Sequence, residues 1–301
     1  MSNKFFNNSY LILLIIIGLI FISIPFQQNI DKERSKFTKI EETIRLSPNI
    51  LKVMSLGYDE IVADIYWFRA LQYFGNPDIQ KKIKKPELVY KYFDIITELD
   101  PKFVSAYRYG GMFLSDPLPL GFGRLDLGTL LYDKGRKHNP ENFRIPLEQG
   151  FQYFFFSEDK ETAAELFMEA SEKPGLTENR KSSFKGMSAS ALKKGGYNEL
   201  AIIIWEDIYT NTTSEARKKF ALLNIKELNT RKLENKLTEF ANLYEKVYGN
   251  FPEDINDLLI LNEVKNLPKD HEHQDFYIDQ ENKSVKSPTL NKHLLSSKST
   301  I

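Results

Sequence analysis

Residues 150–174 read G-F-Q-Y-F-F-F-S-E-D-K-E-T-A-A-E-L-F-M-E-A-S-E-K-P, and this stretch narrows the choice of fold more than any other. Apolar residues recur at helical spacing on both sides of an acidic, polar turn at Ser157 to Glu161, so two amphipathic helices meet there. On the first, Gly150 and Tyr153 stand three apart. On the second, Ala163, Phe167 and Ala170 follow at steps of four and three, and Pro174 closes the unit. Small and aromatic residues on one helix, facing a small–large–small row on the next, let two helices approach closely. Such a pair cannot bury both of its apolar faces alone, so copies should flank it.

The flanking sequence reads that way. Helical periodicity predicts a pair over Tyr58–Phe74 and Glu87–Leu99, stopped at Gly75-Asn76-Pro77 and Asp100-Pro101. A second pair runs from Phe103 to Ser115 and from about Leu125 to His138, with P-L-P-L-G-F-G-R as its long apolar turn and Asn139-Pro140 as its stop. A fourth occupies about Asn179–Lys193 and Tyr197–Tyr209, joined through Gly195-Gly196. Two capping helices, Ser214–Leu228 and Arg231–Tyr248, follow. Beyond Gly249 a short helix and a small hairpin (D-F-Y-I-D, then K-S-V-K-S) make an appendage over 249–287, and 288–301 is expected to be disordered.

The amino-terminal run from Phe5 to Phe26 carries no charge and is about long enough to cross a bilayer core. F-I-S-I-P-F-Q-Q offers no pair of small residues for signal-peptide cleavage, so an uncleaved anchor over residues 1–30 is expected, with a polar stalk over 31–57. Lys32, Arg34, Lys36 and Lys39 follow the span, diluted by Asp31, Glu33, Glu41 and Glu42. With a tail this short before the span, the reading favours a single-pass cell (inner) membrane protein whose body is extracytoplasmic. Lys+Arg and Asp+Glu both number 41, a balance that argues against nucleic-acid binding by general electrostatics. The absence of cysteine excludes disulfides, thiol nucleophiles and Cys-ligated zinc.

The closing prolines Pro101, Pro140 and Pro174 lie 39 and 34 apart, against roughly 34 for the tetratricopeptide repeat. Gly150, Tyr153, Ala163, Phe167, Ala170 and Pro174 resemble that repeat's pattern best. The second unit keeps Tyr107, Gly111, Tyr132 and Pro140 but has Gly128 and Gly135 where alanines are usual. The fourth keeps Ala201 and Trp205, with Ala189 in the glycine slot, and the first has Trp67, Phe74, Phe93 and Pro101. The resemblance spans 58–213 and implies an all-α solenoid of helical hairpins. Ala63, Asp64 and Trp67, with Leu99 to Pro101, also look like bacterial membrane-anchored proteins of this repeat class. The tail residues Gly249, Pro252, Leu267, Pro268, Asp270 and Tyr277 are similar to the end of type II secretion pseudopilins, although His271 stands where proline is usual.

Motifs for chemistry are sparse. Asp270-His271-Glu272-His273 is not H-E-x-x-H, Gly121-Phe122-Gly123 lacks the third glycine of a dinucleotide loop, and no phosphate loop or nucleophile elbow occurs. No catalytic residue, metal or cofactor is expected. The basic run Lys81 to Lys85 reads as a solvated turn. Five aromatics within residues 151–156 cover more than one helical face, so they cannot all fill one seam. In the repeat family the first helix of each pair lines a groove. That register places Phe68, Gln72, Arg108, Met112, Arg144, Phe151, Phe154 and Phe155 on the groove surface, as candidates for holding a peptide or protein partner. The expectation is a membrane-anchored binding scaffold in an envelope assembly or transport complex. Its alternatives are a structural subunit of a secretion or pilus-like machine, or an enzyme.

Overall fold

The computed structural model describes residues 46–74 and 86–292, with Gly18, Ile24, Pro25 and Gln28. The expected anchor, most of the stalk, the basic run at 81–85 and residues 293–301 lie outside the described residues. Among those described, no helix is long and apolar enough to cross a membrane. By internal contacts the chain divides into two compact units, 1–62 and 63–301.

The described residues form an all-α protein with one small hairpin. The helices are α1 (Pro48–Met54), α2 (Asp59–Phe74), α3 (Pro86–Leu99), α4 (Val104–Ser115), α5 (Leu125–His138), α6 (Arg144–Phe156), α7 (Lys160–Glu172), α8 (Glu178–Lys194), α9 (Asn198–Asn211) and α10 (Glu215–Tyr248). In the first unit, Ser47 caps α1 by accepting from the Ile50 N–H, with Pro48 as first helical residue.

In the second unit consecutive helices pack in series: α3 on α4, α4 on α5, and so on to α9 on α10, with α4 also meeting α6 and α3 meeting α5. The helix starts are set locally. Asp159 accepts from the Thr162 N–H at 3.0 Å to open α7, and Thr177 accepts from the Arg180 N–H to open α8. The apolar turn after α4 folds back onto that helix: Phe122 packs edge-on against Phe113, and the Arg124 N–H donates to Leu114 at 2.7 Å.

Close approach between paired helices rests on one recurring contact. A glycine on one helix faces an aromatic ring on the next: Gly111 against Tyr132, Gly150 against Phe167, Gly186 against Trp205. The third of these, in the fourth helical pair, corrects the sequence register. Ala189 is buried, but Gly186, one turn earlier on the same face, is the residue that meets Trp205. The two expected capping helices are instead one continuous helix, α10, 34 residues long. It ends at Gly249, whose φ of +86° suits the left-handed cap position.

The carboxy-terminal half of α10 carries the appendage. A 3₁₀ turn (Ile255–Ile260) and the antiparallel strands β1 (Tyr277–Asp279) and β2 (Ser284–Lys286) bury Phe251, Leu258, Phe276 and Val285 against Leu237 and Ala241. Ile278 pairs with Val285 in the register. Buried carboxylates fasten this layer. Glu234 accepts from the Ser287 N–H at 2.7 Å and from Asn291 Nδ2 at 3.0 Å. Asp270 accepts from the N–H groups of Glu272, Gln274 and Thr289 and from Ser287 Oγ. Residues 288–292, expected to be disordered, belong to this packed layer through Thr289 and Asn291.

Candidate functional site

The aromatic run on α6 divides by face. Gly150 lies against Phe167 and sets the helix spacing, which brings the neighbouring rings over α7 and α8. Phe151 meets Phe167 edge-on at 5.1 Å between centroids, and Phe154 stands 6.3 Å from the same ring. Both are half-buried against the central core of Ala163, Phe167, Leu192, Ala201 and Trp205. Phe155 points outward and is 61% exposed, stacked on Phe151 at 6.1 Å and edge-on to Phe154 at 5.2 Å. Tyr153 takes the other side of α6, where its hydroxyl lies 3.3 Å from Thr129 Oγ1.

Phe151 and Phe154 form one wall of an open cleft of about 340 Å³. Phe167, Gly186, Met187, Trp205, Ile208 and Phe220 supply the rest of its apolar lining, so the cleft draws on five helices, α6 to α10. The absent side chain at Gly186 leaves room on α8: a Cβ there would stand 3.2 Å from the Trp205 ring. Polar groups are few: the hydroxyls of Ser182, Ser183 and Ser190, and the guanidinium of Arg217. Arg217 donates to the Asn179 carbonyl and, at 3.0 Å, to Ser183 Oγ. Lys194 stands over the Phe154 ring with its ammonium 4.7 Å from the centroid.

The other expected groove residues do not line this cleft. Phe68 is 64% exposed on α2, whose opposite face packs through the fully buried Ala63 and Ala70. Beside them Trp67 lies against Phe93, Phe103 and Tyr109. The side chain of Gln72 lies outside the described residues. Arg108 is engaged by Glu148 across α4 and α6, and that hydrogen-bonded pairing raises its already high pKa. Met112 is partly exposed one turn further along α4. Arg144 opens α6 and lies 5.8 Å from the Phe143 ring.

Sequence reasoning missed Trp205, Phe220, Arg217 and the serines as cleft residues. The one local signal was Gly186 itself, because a glycine inside a helical pattern costs stability and so points to a packing reason. A second hollow of about 310 Å³ lies among Thr129, Asp133, Arg136, Gln149, Glu165 and Glu169. It is polar and internally paired, with Arg136 bound to Glu169 and Gln149 Nε2 donating to Asp133 at 2.9 Å, while Arg136 Nε has no hydrogen-bond partner among the described residues.

Among the described residues no group of three or more His, Asp or Glu side chains is placed to hold a metal ion. His271 Nδ1 instead lies 3.0 Å from Thr230 Oγ1 on α10. Burial raises the Asp270 carboxyl, but hydrogen bonds from Thr289, Gln274, Ser287 and Glu272 outweigh it and hold the group at about 2. These groups fasten the appendage. The chain matches no family model and no curated protein. The class defined by the fold and the cleft is an all-α protein of serially paired helices with an apolar, aromatic cleft.

Proposed function

We propose that the protein is a membrane-anchored, non-catalytic scaffold of the tetratricopeptide type that holds a peptide or protein partner, within a cell-envelope assembly or transport complex. One observation carries this reading: the aromatic cleft of about 340 Å³ with the exposed ring of Phe155 beside it. Concave apolar sites with a few placed polar groups are where ligands gain most from leaving water, and aromatic and arginine side chains dominate such contacts. The serial helix packing and the glycine–aromatic contacts support the repeat reading. The uncharged run of residues 5–26 supports the anchor.

The test is photo-crosslinking of the full chain in its native membrane, with a benzophenone side chain in place of Phe155 and, as control, in place of the exposed Glu206 on α9. A discrete protein adduct from position 155 that is missing at 206 supports the scaffold. Equal labelling at both positions, or none at 155, overturns it.

A further inference from the structure

The cleft is apolar on its walls and positive at its rim, and nothing within the described protein neutralises that charge. Of the carboxylates on α8, α9 and the first half of α10, all but the exposed Glu206 are paired with lysines. Asp207 pairs with Lys185 at 2.5 Å, Glu227 with Lys193 at 2.7 Å, Glu178 with Lys181 at 2.8 Å and Glu215 with Lys218 at 3.3 Å. Arg217 has only neutral acceptors, the Asn179 carbonyl and Ser183 Oγ, and Lys194 has the face of Phe154. Neither pairs with a carboxylate among the described residues. A guanidinium has five donors in a planar fork, so two hydrogen bonds to neutral oxygens leave it both charge and donors for an anion.

Two further donors are orphaned among the cleft residues. The indole N–H of Trp205, a residue only 3% exposed, and the hydroxyl of Ser182 have no hydrogen-bond partner among the described residues. Buried donors without acceptors cost free energy, so these two groups are a local cost of the lining and the charge at the rim rests on Arg217 and Lys194.

Building on the scaffold reading above, we infer that the occupant is an acidic, apolar peptide segment: a large apolar side chain seats among Phe151, Phe154, Trp205 and Phe220 while a carboxylate of the same segment takes Arg217. The volume, about 340 Å³ or roughly eleven water volumes, is enough to seat a large apolar side chain. Apolar surface also continues beyond the cleft on the exposed ring of Phe155 and on the outer part of Phe220, room for the neighbouring residues of a peptide.

The experiment is selection of a random twelve-residue display library on the full chain held in phosphatidylcholine nanodiscs. Selected peptides are then measured by fluorescence polarisation, with sodium dodecanoate as competitor. Peptides joining Phe, Leu or Trp to Asp or Glu are expected, with binding weakened at least about tenfold by Arg217→Glu. Replacing the peptide's acid by lysine should restore binding to that variant, a rescue that a misfolded variant does not give. Selection of neutral or basic peptides, or indifference to Arg217→Glu, overturns the inference and leaves the scaffold standing. Displacement of the peptides by micromolar dodecanoate makes the cleft an amphiphile site and likewise overturns it. A library that yields no binder sinks the inference and the peptide-scaffold reading together.

Discussion

The ring of Phe167 occupies the place where a side chain on Gly150 would begin. A Cβ built on Gly150 would stand 2.9 Å from both Cδ1 and Cε1 of that ring and 3.3 Å from Leu166 Cβ. Phe167 is held in turn by Phe151 and the surrounding core, so it has little room to yield. Alanine is worth about 1 kcal/mol over glycine in a helix interior, whereas forcing extra volume into a packed core costs about 1–3 kcal/mol. Overpacking wins, and Gly150→Ala is expected to lower stability in urea titrations.

The same arithmetic changes along the array. At Gly186 a Cβ would stand 3.2 Å from the Trp205 ring edge, so the conflict is small and Gly186→Ala should be neutral or slightly stabilising. At Gly128 it would meet Ser115 Oγ at 1.9 Å and the Gly111 carbonyl at 2.6 Å, and a backbone atom cannot step aside. Gly128→Ala should therefore be the most damaging of the three. A ranking in which Gly186→Ala costs more than Gly128→Ala would contradict the packing.

Arg108 and Glu148 bridge α4 and α6 with both side chains more than two-thirds buried. Two guanidinium N–H groups, on Nε and Nη2, donate to the same oxygen, Glu148 Oε1, and a partly buried pair of this kind is expected to couple by about 1 kcal/mol. Arg108→Glu should destabilise, and adding Glu148→Arg should recover most of the loss. Additive effects in the double-mutant cycle would mean the two side chains do not stabilise each other.

Acid should release the appendage before the helix array. The Asp270 carboxyl is held at about 2, below its ordinary value of about 3.9. A depressed carboxyl contributes stability that is complete above its unfolded value and is lost as pH falls through its folded one. Hydrogen exchange at β1 and β2 should therefore accelerate between about pH 4 and pH 2, while α4 to α9 retain protection. Asp270→Asn should produce the same loosening at neutral pH, because it removes acceptors from buried N–H groups. Unchanged protection in that variant would show that the carboxylate fastens nothing.

The helical pairs were legible in the sequence because their signals are local: apolar steps of three and four, caps, and prolines at the stops. The break expected between Leu228 and Arg231 does not form: Asn229 and Thr230 are weak helix formers, and tertiary packing overrides that propensity. Thr230 Oγ1 accommodates the helix by donating to the Lys226 carbonyl at 2.9 Å, with His271 packed beside it, and the fully buried Leu228 anchors the same turn. The slip from Gly186 to Ala189 has a related origin: residues three apart share a face, and spacing alone cannot say which one meets the ring. The cleft was only half legible. Its α6 wall announces itself as an aromatic run, but Arg217 and Phe220 reach it from some sixty residues downstream, through packing that no local pattern encodes.

Serine substitutions along α6 separate binding from folding. Phe151 and Phe154 touch Phe167, so replacing either removes ring packing from the central core and should cost about 2 kcal/mol or more. A triple replacement of Phe151, Phe154 and Phe155 therefore confounds loss of capture with loss of structure. Phe155 is the clean probe: it does not touch Phe167, meets Phe151, Phe154 and Phe156 from outside, and is largely in solvent. Phe155→Ser should leave the unfolding free energy from urea titration within about 0.5 kcal/mol of wild type while reducing capture of a cleft-binding peptide several-fold, since an exposed aromatic beside an apolar pocket supplies much of such a contact. Full capture by a folded Phe155→Ser variant would place the binding surface elsewhere on the array. Unfolding of that variant would show the ring to be core after all.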